Sequence, residues 1–379
     1  MIDHETRLYL AAHPIVYPLL RLLAMCGPVV RLPGVGVVVN DAATARSVLM
    51  DPRFRKDGPG SPGDLWTPVL GPSVLLNMEG PAHAELRARL SSLFTPGYVG
   101  RLVAEVLKGP LDDLRARLDR GELVELADAV RVMAGAVICR VIGLGEVTPV
   151  RARELFEAGE RVVSMVSLRS RRLSPRQVVV ARRVLSGIGD IAEAAYTAGD
   201  ESTVTGRMRA LGLSADEARG AAGAFFLTGT ETVATFVPRL VALLHDHRAR
   251  AASSPSVDDR LVDEAMRVTT PTPVMLRSVS APAEVGGVRV RPGDRVVIVT
   301  HTCTRAHGPF DPDFVHPPEL RRLWFGAGPH FCIGYPLAMA EIRAIADVVA
   351  DPAVRVVRRR AARRVLIPAY RELWIRKEP

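Results

Sequence analysis

Lysine is nearly missing from this 379-residue chain: of 50 basic residues only Lys56, Lys108 and Lys377 are not arginine, under a net charge of +9. So lopsided a preference points to coding bias rather than to a nucleic-acid surface, and aromatics, at 5%, are too few to suggest stacking on bases. Cysteine is sparse as well. Cys26, Cys139, Cys303 and Cys332 form no C-x-x-C pair, so neither a disulfide framework nor a zinc site is indicated, and a reducing compartment fits best. There is no P-loop, no H-E-x-x-H and no G-x-G-x-x-G after a strand, which excludes the common nucleotide, zinc-hydrolase and dinucleotide sites. Long apolar runs are absent too. The stretch from Leu8 to Cys26 is broken by His13, Pro14, Pro18 and Arg21, a poor spanning helix and a poor signal peptide, so a soluble cytoplasmic protein is expected. No linker, repeat or low-complexity tract divides the chain, and residues 1–379 read as one domain.

What is present is an apolar fraction of 48%, enough for a sizeable core. Val29 to Leu32 and Val37 to Val39 read as strands around Pro33-Gly34-Val35-Gly36, and Asp41 is placed to cap a helix through Met50. From Asp57 to Pro72 glycine and proline are dense without a period, which predicts a long loop. Most segments from Pro81 to Leu213 carry helical spacing. Ser214-Ala215-Asp216-Glu217 is a capping box opening a helix to about His245, with an apolar middle and a kink expected at Pro238. A helix from Asp258 to Val268 and strands at Val288 to Val290 and Arg295 to Val299 follow. The arginine runs at 169–172 and 358–364 read first as solvated faces, then as docks for an acidic partner, and last as nucleic-acid surfaces.

The densest chemistry lies in Phe325-Gly326-Ala327-Gly328-Pro329-His330-Phe331-Cys332-Ile333-Gly334, followed by an apolar helix from Tyr335 to Ala350. A cysteine at a helix N-terminus meets the positive end of the dipole and free N–H groups, which favour its thiolate as a metal ligand. Glycines let backbone pass close to a flat ligand. The second cluster is Thr228-Gly229-Thr230-Glu231-Thr232, an acid beside an alcohol in an otherwise apolar helix. Such groups are costly to bury unless they bond back to the helix or serve proton transfer. The third is Glu264-Ala265-Met266-Arg267, an acid and a base at i and i+3.

The run Phe-Gly-x-Gly-x-x-x-Cys-x-Gly resembles the haem-binding loop of the cytochrome P-450 family, the haem-thiolate monooxygenases, and the other two clusters match that family in order. The resemblance implies a mainly α fold with small β-sheets, the cytochrome P-450 fold, with a long central helix over the haem and the cysteine loop on its proximal side. It implies haem b, held noncovalently since C-x-x-C-H is absent, with Cys332 as the iron ligand and Phe325, Gly334 and Gly229 shaping the site. His83, Arg87, Arg277 and His330 are implied as partners of the two propionates. Thr232 is implied to hydrogen-bond oxygen and Glu231 to relay protons. Glu264 and Arg267 are implied to be structural, their usual third arginine being replaced by Arg321 or Arg322. Phe225, Phe226, Thr228, Val274, Met275 and Ile367 with Pro368, together with the Asp57–Pro72 loop, are expected to contact substrate. The expected activity is insertion of oxygen from O2 into a hydrophobic terpenoid, polyketide or macrocycle. Electrons are expected from NAD(P)H through a ferredoxin reductase and a ferredoxin docked on a basic face with Arg87, Arg89 and the Cys332 loop. No membrane or nucleic-acid partner is expected, and the protein is expected to be a monomer. A peroxygenase, an O2-independent isomerase or reductase on the same fold, and a non-catalytic haem gas sensor remain as alternatives.

Overall fold

The Ser214 hydroxyl accepts from the Glu217 N–H, and the Glu217 carboxylate accepts from the Ser214 N–H, so both halves of the capping box form. They open a helix from Ala215 to Arg248. Its 34 residues span roughly 51 Å at 1.5 Å per residue. Helical assignment continues through Pro238, where a kink was expected. This computed structural model describes residues 3–166, 170, 172–249 and 257–378, so Arg169 and Arg171 of the first arginine run lie outside the described residues.

Four helices pack around the central one: Leu126–Ile142, Pro149–Val163, Pro175–Ala198 and Tyr335–Val349. Close approach is built into the sequence. A Cβ on Gly135 would stand 2.5 Å from the Ala152 carbonyl oxygen, so glycine alone permits this helix crossing. The large core runs through these helices, while a second, smaller one lies against a five-stranded sheet. That sheet has the order Val29–Leu32, Gly36–Val39, Arg295–Ile298, Met275–Val279, Phe54–Arg55, with one parallel pairing between its second and third strands. Val288–Val290 does not join it. Gly286-Gly287 turns that strand back on Ala283–Val285 as a separate hairpin. The third sheet holds Val124–Glu125, Tyr370–Lys377 and Val354–Ala361. Along its outer strand Arg358 and Arg360 pair with Glu372 at the surface as expected, whereas Arg359, its side chain 18% exposed, turns inward to Asp246.

The Asp57–Pro72 segment departs from the expected loop, because Pro62–Leu70 is helical. Pro62 occupies the first turn, where its missing N–H costs nothing, and Gly60 and Gly71 take left-handed φ of +71° and +79° at either end. Proline and glycine here punctuate a helix rather than prevent one. Surface contacts hold it to the neighbouring helix: Arg182 Nε donates to the Pro68 carbonyl at 2.8 Å, and Arg172 lies 3.3 Å from Asp64.

No single helix among the described residues is long and apolar enough to cross a membrane; His4–Ala12 and Val16–Cys26 pass that test only as a pair bent by 115°.

Candidate active site

The Cys332 loop is a chain of short turns closed by backbone bonds. Gly326 and Gly328 adopt φ of +83° and +64°, and a Cβ on Gly328 would stand 2.9 Å from the Leu49 carbonyl oxygen. The Cys332 N–H donates to the Phe325 carbonyl at 2.9 Å, while the Phe325 ring meets Tyr335 edge-on at 5.0 Å. This leaves Sγ facing a cavity just before the Tyr335–Val349 helix. Burial pushes the Cys332 thiol up, while the N–H groups of Gly334 and Tyr335 and the charges of Lys56 and Arg87 pull it back. The net direction is upward, contrary to a thiolate favoured by the helix terminus alone. Desolvation outweighs the dipole, and a metal must displace the proton to bind. Cys139, with burial almost unopposed, is pushed up to about 12.

The cavity measures about 460 Å³, within the range of small-ligand sites. The central helix supplies Phe225, Thr228, Gly229, Thr232, Val233 and Phe236, a stripe at helical spacing on one face. Phe226 and Glu231 are one residue off that phase. Each is turned about 100° from the stripe, so neither lines the cavity: Phe226 is fully buried in the core and Glu231 faces Glu160 and Arg131. Ile367 does not line it either, whereas Val274 and Met275 do. Of the Asp57–Pro72 segment Pro62, Leu65 and Trp66 form part of the wall. A Cβ on Gly229 would lie 3.2 Å from Ile138 Cδ1, so the missing side chain accommodates a neighbouring helix as well as opening the cavity.

The threonines divide by their bonds. Thr228 and Thr230 hydroxyls donate to the carbonyls of Ala224 and Phe226, four residues back. Among the described residues no such bond ties Thr232, whose side chain lines the cavity. Burial and the nearby Glu160 carboxylate push Glu231 up to about 8, with Arg131 opposing them. Arg131 and Glu160 stand 4.0 Å apart with partly exposed side chains.

At one end of the cavity His83, Arg87, Arg277 and His330 converge, joined by Lys56, and Glu79 lies beside them. Arg87 donates to the Phe331 carbonyl at 2.5 Å. Arg277 is 3% exposed and, among the described residues, bonds only its neighbour's Leu276 carbonyl, at 2.8 Å, leaving Nε without a partner. Burial pulls the Arg277 guanidinium down to about 10. His330 Nε2 stands 2.9 Å from Glu79 Oε1. Burial pulls His330 down to about 4, while Glu79 is held below its ordinary value, so the carboxylate keeps its charge and the imidazole stays neutral. An apolar slot with a sulfur on one wall, a threonine on the other and cations at one edge fits a flat macrocycle carrying carboxylates. The orphaned Arg277 Nε is the direct sign of a missing acceptor. Glu341 lines the same cavity, is 5% exposed and has no hydrogen-bonding partner among the described residues; burial pushes it up to about 8.

Glu264 and Arg267 are both buried and form a two-pronged pair at 2.6 and 2.7 Å. Arg267 also donates to the carbonyls of Thr304, Gly308 and Pro309. The third member is neither Arg321 nor Arg322. His316 Nε2 lies 2.9 Å from Glu264 Oε2, the Asp311 N–H donates to Oε1 at 2.9 Å, and Arg322 turns to Asp263 instead. The expected basic dock also differs. Arg87 points into the cavity, and Arg89 is taken up by Glu217 and the Gly212 carbonyl.

The "Cytochrome P450" family model matches residues 257–348. The cytochrome P-450 monooxygenase DoxA of Streptomyces peucetius subsp. caesius is 30% identical over 366 residues, covering 85% of this chain and 84% of DoxA. The erythromycin C-12 hydroxylase of Saccharopolyspora erythraea is 28% identical, covering 74% of this chain and 73% of the hydroxylase. In structure the chain is similar to CalO2, with a TM-score of 0.76, 24% identity, and 100% and 98% of the two chains covered. It is also similar to a mutant of P-450 EryK in complex with erythromycin B, at a TM-score of 0.79 and 22% identity with 97% of each chain covered.

Proposed function

The chain belongs to the cytochrome P-450 family and is a monooxygenase with a haem-thiolate cofactor, and from that premise we propose that it oxygenates a hydrophobic natural product, a terpenoid, polyketide or macrocycle. The proposal takes residues 1–379 as one domain and haem b as the cofactor. Its electrons come from NAD(P)H through a ferredoxin reductase and a ferredoxin, since the chain carries no flavin or nicotinamide fingerprint of its own. Dioxygen is the oxygen source and a cytoplasmic monomer the working form.

The observation that carries this reading is the cavity itself, with Cys332 Sγ on one wall and the untied Thr232 hydroxyl among the lining residues of the central helix. When bound, haem supplies the iron at which dioxygen is activated, with thiolate sulfur pushing electron density toward O–O cleavage. Cys332 would hold the iron, and the Gly334 and Tyr335 N–H groups orient its sulfur and temper its charge. His83, Arg87, Arg277 and His330 hold the carboxylate arms. The Thr232 hydroxyl, lining the cavity, would pass a proton toward the oxygen that the haem holds. Glu231 keeps its proton near neutral pH and lies close enough to Glu160, whose side chain is 44% exposed, to exchange protons with solvent on the helix face next to that of Thr232. Phe225, Trp66, Val274 and Met275 exclude water and seat an apolar substrate, with the threonines at 228, 232 and 272 and the buried carboxyl of Glu341 as polar groups on an otherwise apolar wall.

Relatives support the substrate class: one is named for hydroxylation of erythromycin and another for 23-monooxygenation of a mycaminosyltylactone. The test is the spectrum of the dithionite-reduced protein under carbon monoxide. A strongly red-shifted Soret band, lost in Cys332→Ser, is expected; an unshifted band in the wild type refutes thiolate ligation. Thr232→Ala should then divert electrons from product to peroxide, and unchanged coupling would remove Thr232 from proton delivery.

A further inference from the structure

Lys56 is one of three lysines in a chain that uses arginine almost everywhere else, and among them it alone lines the cavity. Lys108 and Lys377 are surface residues paired with aspartates. Lys56 follows the short strand Phe54–Arg55, and its backbone is fixed on both sides: the N–H donates to Glu79 Oε1 at 2.5 Å, and the carbonyl accepts from the Gly63 N–H at 2.7 Å. Its side chain shares the cavity end with Arg87, Arg277, His83 and His330. No hydrogen bond engages its ammonium among the described residues.

The charges facing this end do not balance. Lys56, Arg87 and Arg277 bring three positive charges, and both histidines are held neutral, chiefly by burial. Against them, among the described residues, stands the carboxylate of Glu79, already engaged by the Lys56 N–H and set 2.9 Å from His330, while Asp57 is neutralised by Arg55. Burial and the neighbouring Arg277 pull the Lys56 ammonium down to about 7, as expected of a cation short of an anion. Arg277 is buried and Lys56 and Arg87 are half-buried, and cations gathered at a cavity edge without their counter-charge call for a ligand that supplies it. Two further negative charges close the count, and two carboxylate arms on one macrocycle bring that number.

We infer that Lys56 is a third cationic anchor of the haem, pairing with a propionate beside Arg87 and Arg277. The inference rests on the cofactor reading above. It assigns a role to the segment between the five-stranded sheet and the Pro62–Leu70 helix: the residue that grips the cofactor edge is continuous in sequence with the helix forming the substrate wall.

The experiment compares ferric holoprotein of wild type, Lys56→Gln and Lys56→Arg, following haem transfer to excess apomyoglobin and the haem reduction potential. Release should be on the order of tenfold faster in Lys56→Gln, the size of one charge-assisted hydrogen bond, and near wild type in Lys56→Arg. The potential should fall in Lys56→Gln, because removing a nearby positive charge disfavours the added electron. Unchanged release and potential with weaker binding of an anionic substrate would overturn the inference, assigning Lys56 to substrate. Unmodified holoprotein gives an independent answer through amine-reactive labelling read by mass spectrometry: Lys108 and Lys377 react, and Lys56 does not. Free labelling of Lys56 in the loaded protein overturns the proposal. A wild-type protein that binds no haem fails the cofactor reading instead, so the two failures are distinguishable.

Discussion

Replacing His316 by phenylalanine removes one donor from a buried carboxylate while keeping the ring. The His316 side chain is 15% exposed, and its Nε2 faces Glu264 at 2.9 Å; since a carboxylate only accepts, that nitrogen carries the proton. The ring packs edge-on against Trp324 at 5.7 Å and tilted against Phe314 at 5.4 Å, contacts a phenyl group reproduces. A hydrogen bond to a charged partner contributes about 1.5–3 kcal/mol. Glu264 retains two bonds from Arg267 and one from the Asp311 N–H, so the loss should sit at the lower end, about 1.5–2 kcal/mol. His316→Ala also forfeits the ring contacts and should cost about 2–4 kcal/mol. Arg267→Met should cost more, about 3–5 kcal/mol, because it strands a buried carboxylate and leaves three carbonyls without their donor. Urea unfolding of ferric holoprotein, read by far-ultraviolet circular dichroism, gives all three values. If His316→Phe is as stable as wild type while His316→Ala is not, the ring packs and the donor contributes nothing, and a histidine in the role of the third arginine is refuted.

Gly135→Ala should destabilise the fold by about 1–3 kcal/mol, since its methyl meets the Ala152 carbonyl at 2.5 Å; an unchanged melting temperature would show that the two helices separate freely. Burial pushes Glu341 up to about 8 from an ordinary 4.5, so between those values the folded chain holds a proton that the unfolded chain has released, and stability falls as pH rises. Glu341→Gln should therefore gain a few kcal/mol over wild type at pH 8.5 but little at pH 4, and a gain independent of pH would rule out this titration. Ferredoxin-supported turnover should fall as ionic strength rises, given the net charge of +9; a flat salt profile would exclude an electrostatic dock.

The central helix and the Cys332 loop were readable in the sequence because their signals are local. A capping box, an apolar run of more than two turns and a ten-residue glycine and cysteine pattern each act within one segment. What the sequence hid depends on distance or phase. The Pro62–Leu70 helix was obscured because glycine and proline count against helices unless they fall at the ends, as Gly60, Pro62 and Gly71 do. Helical phase separates Thr232, on the cavity, from Glu231, and Phe225 from Phe226, a one-residue difference that motif matching alone passes over. Lys56 and Glu79 carry no periodic signal and meet only when the strand at 54–55 is laid beside the sheet. His316 reaches Glu264 across 52 residues of chain, and nothing near Pro317-Pro318 announces it.

The cavity wall at Pro62–Leu70 is attached to its neighbour by an arginine on a backbone carbonyl and a surface ion pair, whereas the Cys332 loop is fixed at Gly328, where a side chain would meet the Leu49 carbonyl oxygen at 2.9 Å. Mutational tolerance is thus unevenly distributed. Descendants of this chain can trade residues such as Leu65 and Trp66 to admit differently shaped molecules while the oxidising machinery stays intact, so diversification of scope and preservation of chemistry proceed on separate stretches of polypeptide.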